Sequence, residues 1–215
     1  MTSQFHIFQC INPECKLRFP ARDNDRLPVV CPKCKSKLIE LHKNLNKSIQ
    51  KEQTINLDGS EFILVLDNVR SAYNVGSILR SSDGFNFHSV YLCGITPTPE
   101  NPKVLKTSLH AEINVPWFYR TNSLNLLIEL KNNGYMILGM ETSSKSTSIL
   151  DIKKDDLTKK IALVLGNELS GLDPDLEGVC DYLLNIPMLG QKSSFNVTIA
   201  FGISAFYFRF LQNGK

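Results

Sequence analysis

The chain has 215 residues, 42% hydrophobic and 21% charged, which is the balance of a soluble globular protein with one full core and a small appendage. No N-terminal apolar stretch resembles a signal peptide. The richest apolar window, residues 197–211, is too short to span a bilayer and contains Arg209. Membrane-spanning and secreted classes are set aside, and a cytoplasmic address is expected. The net charge of +3 is unevenly placed: residues 1–60 carry ten Lys/Arg against six Asp/Glu, and residues 61–215 fourteen against fifteen. A small basic module beside a near-neutral one fits a polyanion-binding appendage on a catalytic domain; an imbalance that serves only solubility is the plainer alternative.

Residues 1–41 hold four of the six cysteines, as Cys10-x4-Cys15 and Cys31-Pro32-Lys33-Cys34 with fifteen residues between the pairs. Such paired spacing predicts a four-thiolate zinc site. Asn12-Pro13 and Pro32-Lys33 supply the tight turns that let the sulfurs converge. Two disulfides would suit a secreted mini-protein, and a redox role would need a thioredoxin-like strand and helix around the second pair; neither context is present. The segment reads as a zinc-ribbon-like module whose short hairpins need metal to fold. Phe5, Phe8 and Phe19 are expected to form its core, and Lys16, Arg18, Arg22, Arg26, Lys33, Lys35 and Lys37 its basic surface. Residues 42–60 are polar, lack sustained apolar periodicity and read as a linker.

From residue 61 short apolar strands alternate with helices. Residues 62–66 are wholly apolar, as in a strand covered on both faces. A helix over 74–84 follows, then strands at 89–93, 135–140, 161–165 and 182–186, with a helix over 123–132. Cys93 and Cys180 sit in this apolar pattern as core thiols. A final helix over 194–212 is expected to bury Phe195, Ile199, Ile203, Phe206 and Phe210. This order implies an α/β fold with a mostly parallel sheet and helices on both faces.

Three segments carry chemistry: Asn74-Val75-Gly76-Ser77-Ile78-Leu79-Arg80, then Leu165-Gly166-Asn167-Glu168-Leu169-Ser170-Gly171-Leu172, then Ile186-Pro187-Met188-Leu189-Gly190 running into Ser194-Phe195-Asn196-Val197. The last two are glycine-containing loops after strands, where α/β proteins hold small ligands. In this order the three resemble motifs 1, 2 and 3 of the SpoU/TrmH family of RNA ribose 2'-O-methyltransferases, over roughly residues 60–213. The resemblance implies a C-terminal trefoil knot within about 160–213, S-adenosylmethionine as cofactor, tRNA or rRNA as substrate, and a homodimer whose last helix packs against its partner.

Residue by residue, the resemblance assigns cofactor contacts to Gly166, Ile186 and Phe195, largely through backbone, with Asn167 and Met188 in the same loops. Thr142, after a strand end, is a further candidate contact. Phe195 stands where the family usually has leucine, Thr198 where serine is commoner, and Asn167 where serine or alanine is frequent. Arg80, Asn74, Glu168 and Asn196 are the candidate catalytic residues. A guanidinium stays protonated near neutral pH, so Arg80 is a poor base and a better clamp for an RNA phosphate. Helix capping is the alternative role for Asn74 and for Ser194, whereas Asp173-Pro174 reads as a cap followed by proline at the first helical position. A catalytically silent RNA-binding protein is the competing reading, and the presence of all four polar residues argues against it. A dinucleotide-dependent oxidoreductase fails because no Gly-x-Gly-x-x-Gly follows the first strand.

Overall fold

The computed structural model of the chain describes residues 4–22, 27–46 and 59–212. Its contacts divide it into two units, Met1–Ile55 and Asn56–Lys215.

In the first unit, β1 (Gln4–Cys10), β2 (Arg18–Arg22) and β3 (Leu38–Asn46) form an antiparallel sheet in the order β2-β1-β3. Strand periodicity places His6, Phe8 and Cys10 on one buried face of β1. Phe8 lies directly opposite Phe19, with ring centroids 6.2 Å apart. His6 stacks on Phe8 and hydrogen-bonds Glu40. Two of the three expected core phenylalanines are therefore packed; the Phe5 side chain lies outside the described residues, as does Arg26. The linker expected over 42–60 begins later, because β3 stays paired with β1 as far as Asn46 opposite Gln4. Residues 47–58 lie outside the described residues.

The second unit is built on a seven-stranded sheet in the order β6-β5-β4-β9-β7-β10-β8, with every pair parallel. The strands are β4 (Glu61–Asp67), β5 (Ser89–Cys93), β6 (Trp117–Arg120), β7 (Met136–Met140), β8 (Thr147–Ser148), β9 (Lys160–Leu165) and β10 (Tyr182–Asn185). The helices are α1 (Ala72–Gly84), α2 (Pro102–Ser108), α3 (Ala111–Asn114), α4 (Ser123–Asn132), α5 (Pro174–Val179) and α6 (Val197–Gln212). The apolar run of β4 is explained by cover on both faces. Phe62, Leu64 and Leu66 pack with α1 and α6, while Ile63 and Val65 pack with α4 and Leu176 of α5. Strand order reverses between β4 and β9, and a crevice at the carboxyl ends of strands is expected at such a switch point. Among the described residues no helix is long and apolar enough to cross a membrane.

Elements between residues 94 and 122 carried little sequence signal. Strand β6 is half-exposed at the sheet edge, and α2 and α3 are short and separated by left-handed Leu109 and His110. The last helix corrects an expectation. Its buried residues are Val197, Phe201, Ser204, Ala205, Phe208 and Arg209, whereas Ile199, Ile203 and Phe206 are 50%, 36% and 54% exposed, and Phe195, just before the helix, is 39% exposed. Phe210 joins the outer face, 4.6 Å from Phe206 between ring centroids. Both faces of α6 are apolar, so periodicity alone could not choose the inner one. Arg209 is buried near the helix end, where it donates to the carbonyls of Phe85, Asn86 and Ser60 and lies 4.2 Å from the Phe62 ring centroid.

Candidate active site and metal centre

A cleft of about 520 Å³ opens at the carboxyl ends of β7, β9 and β10, a volume suited to a ligand of cofactor size. Thr142 after β7, Gly166, Asn167 and Glu168 after β9, Ile186 after β10, and Phe195 and Asn196 before α6 all line it. Met188 does not line it, and neither do Asn74 and Arg80.

The turn after β9 is held by its own backbone. Asn167 and Gly171 exchange N–H···O bonds of 3.1 and 2.9 Å. A Cβ on Gly166 would come within 2.4 Å of the Gly171 carbonyl oxygen, so glycine is required there by the close passage of two backbone strands. Gly171 has φ 72°, and a Cβ on it would strike a Glu141 carboxylate oxygen at 2.2 Å. Glu141 accepts from Thr142 N–H (2.7 Å) and Leu172 N–H (2.7 Å), tying the end of β7 to the turn after β9. Its signal in the sequence was only its place beside Thr142 at a strand end. The Asn167 side chain is committed to this scaffold: Nδ2 donates to the Asn68 carbonyl (2.7 Å) and Oδ1 accepts from Leu169 and Ser170 N–H.

Three of the four candidate catalytic residues form a connected chain. Glu168 accepts from Arg70 N–H (2.8 Å), Ser71 N–H (3.1 Å) and Asn74 Nδ2 (3.0 Å). Asn196 Nδ2 makes a long 3.5 Å contact with Asn74 Oδ1. Burial pushes the Glu168 carboxyl up, but the Arg70 N–H, its own N–H, the Ser71 N–H and the Asn74 amide outweigh it, leaving it below the usual glutamate value. A carboxylate this well supplied with donors is a brace and a weak base.

Two of the three capping roles fall on other residues than expected. Ser71 caps α1 by accepting from Asn74 N–H (3.3 Å). Asn196, immediately before α6, accepts from Thr198 N–H (2.9 Å), the contact foreseen for Ser194. Asp173 caps α5 with Pro174 behind it. Arg80 stands apart: it is exposed, six residues beyond Asn74 on α1, hence about 9 Å further along and about 120° around the helix. No described residue hydrogen-bonds or ion-pairs with its side chain.

In the first unit the Sγ atoms of Cys10, Cys15, Cys31 and Cys34 all lie within 4.8 Å of one another, with Cys10···Cys34 at 3.4 Å and Cys15···Cys31 at 3.8 Å. A tetrahedral ion with Zn–S bonds of roughly 2.3 Å needs sulfurs roughly 3.8 Å apart. All six cysteines are free thiols, and the four clustered sulfurs allow a metal site. The Ser36 hydroxyl and N–H hold the Cys34 thiol down at about 6, and burial pushes Cys10 up to about 12. Cys93 and Cys180 are both raised to about 12 by burial, as core thiols should be.

Comparison with known proteins supplies the family. Residues 61–206 match the SpoU rRNA Methylase family. An uncharacterized tRNA/rRNA methyltransferase of Borreliella burgdorferi is 34% identical over 78% of this chain and 75% of its own length. A 23S rRNA (guanosine-2'-O-)-methyltransferase of Nitrosomonas europaea is 36% identical over 67% of this chain and 54% of its own. The chain likewise spans about half the length of similar proteins from Staphylococcus saprophyticus and Bacillus subtilis. The AdoMet-bound rRNA methyltransferase of Sinorhizobium meliloti has the same fold, with TM-score 0.64 and 25% identity over 69% of this chain and 56% of that one. With its matched segment covering the whole parallel sheet and the cleft, this chain belongs to the SpoU rRNA methylase family.

Proposed function

We propose that the chain is an S-adenosylmethionine-dependent methyltransferase acting on a ribose 2'-hydroxyl of tRNA or rRNA, and that it works as a homodimer. The observation that carries this reading is the cleft at three strand ends, lined by Glu168 and Asn196, both of which are tied to Asn74 outside it. The cofactor fits the residues present: the cradle is built from loops after three strands, and a side chain at Gly166 or Gly171 would break its turn. When bound, S-adenosylmethionine supplies a methyl group on an electrophilic sulfonium. The residues around it orient and exclude water. Glu168, through Asn74, fixes the start of α1 against the β9 turn. Asn196 and the loop before α6 position the hydroxyl in line, a matter of orientation.

In this reading Arg80 meets the cleft of the partner protomer, clamps an RNA phosphate and leaves proton removal to phosphate or solvent. The outward Ile199, Ile203, Phe206 and Phe210 of α6 form the matching two-fold contact. The family's trefoil knot belongs to the same reading, because the segments assigned to it supply the β9 turn, the loop after β10 and α6. Zinc at Cys10, Cys15, Cys31 and Cys34 completes it, and a ring of reduced thiols suits a cytoplasmic setting. The test of the reaction is nuclease digestion of RNA methylated with labelled cofactor: 2'-O-methylnucleosides are expected, and base-methylated nucleosides alone would refute it.

A further inference from the structure

The two cysteine turns of the first unit align position for position and share Pro, Cys and Lys at three of five places. Asn12-Pro13-Glu14-Cys15-Lys16 corresponds to Cys31-Pro32-Lys33-Cys34-Lys35. In each, the N–H of the final lysine donates to the carbonyl of the first residue, at 2.9 Å. Both lysines adopt left-handed backbone, Lys16 at φ 46° and Lys35 at φ 62°. Glycine is the default residue at such positions, and asparagine the usual substitute. Residues 1–58 contain no glycine, and both left-handed positions carry lysine instead. A side chain retained twice at equivalent strained positions points to a function of the side chain.

Charge says what it meets. The described residues of this unit hold Lys16, Arg18, Arg22, Lys33, Lys35, Lys37 and Lys43 against Glu14 and Glu40. Lys16, Arg18, Lys33, Lys35 and Lys37 are exposed, and none forms an ion pair with a described carboxylate; the Lys35 ammonium makes only a 3.4 Å contact to the Pro32 carbonyl. Glu40 is taken by His6 and Lys43. Each left-handed lysine directly follows a cysteine of one sulfur cluster, so both branch from turns that meet at that cluster.

We propose that Lys16 and Lys35 at the two turn tips, supported by Lys33 and Lys37, form a phosphate clamp that docks the RNA strand outside the methyl-transfer cleft. The choice of RNA as the polyanion rests on the methyltransferase reading. The clamp acts through phosphates, so it is independent of sequence.

The full-length protein carrying Lys16→Gly and Lys35→Gly tests it, with a 20-nucleotide oligouridylate as probe. Glycine relieves the backbone, so zinc content and thermal stability should hold or rise. Affinity should fall roughly tenfold at 100 mM salt, and the log–log salt slope should become shallower by about 1.4, two contacts at about 0.7 each. The Lys16→Arg, Lys35→Arg protein should retain both. Unchanged affinity and slope in the glycine protein would overturn the proposal and point to a protein partner. Loss of zinc or stability would overturn it too, by making the lysines structural. Cofactor affinity, read separately, belongs to the methyltransferase reading and should not move.

Discussion

The two units of this chain are held together by different physics. The second encloses two apolar clusters, one on each face of a seven-stranded sheet, with Phe62, Phe201, Phe208 and nineteen leucines and isoleucines fully or nearly fully buried. Among its described residues, the first buries little beyond Phe8, His6, Cys10 and Cys31. A unit of that size lacks the apolar area to offset its chain entropy, and its four clustered thiols take the place of a core. Where the core is large, residues lining the cleft are free to be chosen for chemistry; where it is small, the best-buried side chains include the thiols of a four-sulfur cluster.

The sharpest test of that contrast is metal removal. Chelation, or Cys31→Ser, should unfold the first unit, since zinc binding at such sites is worth about 10–16 kcal/mol. Circular dichroism and metal analysis should show the loss of about one zinc per chain. The second unit should keep its melting transition and its cofactor affinity. Joint melting of both units would break the comparison.

Within the second unit, the two faces of α6 make the next test. Phe201→Ala should cost about 3–5 kcal/mol in urea unfolding, because the ring is buried against Phe87. Ile199→Ala, at a half-exposed position, should change protomer stability by under about 1 kcal/mol while weakening self-association in sedimentation. Reversed costs would restore the inward stripe read from periodicity.

Smaller effects belong to the cleft. Gly166→Ala forces a Cβ against the Gly171 carbonyl and should cost about 1–3 kcal/mol, read as weakened cofactor binding by calorimetry. Glu168→Gln should cost about 1 kcal/mol, the scale of a lost helix-start partner. The Glu168 pKa is lowered on folding, so its stabilisation is complete above the ordinary carboxylate value and lost as pH falls through the depressed one. The wild-type protein should therefore lose stability on acidification below the usual glutamate range, and Glu168→Gln should flatten that slope. Equal slopes would show that the brace carries no charge-dependent energy.

Much of this molecule was legible in its sequence. Wholly apolar β4 and β9 announced a sheet covered on both faces, and the cysteine spacing announced a four-sulfur cluster. The cleft residues Gly166, Ile186 and Phe195 were legible through the resemblance to the SpoU/TrmH motifs, and Thr142 through its place after a strand end. What escaped depended on contacts distant in sequence. Glu141 acts by reaching Leu172, and Asn167 by reaching Asn68. Ser71 and Asn196 took the capping roles because the helices begin at Ala72 and Val197. The inner face of α6 was illegible for a different reason: an apolar residue facing a partner looks the same as one facing the core.

The division of labour between Arg80 and the cleft decides the account. Assayed at cofactor concentrations well below the weakened affinity of Gly166→Ala, the Arg80→Ala and Gly166→Ala proteins should each be nearly inactive alone, the first with cofactor affinity intact. Mixed after unfolding and joint refolding, they should recover roughly a quarter of wild-type methyl transfer, since half the random dimers pair one intact cleft with one intact Arg80. Recovery of activity on mixing is the predicted result; a mixture as inactive as its parents would contradict the claim that the site is shared between two chains.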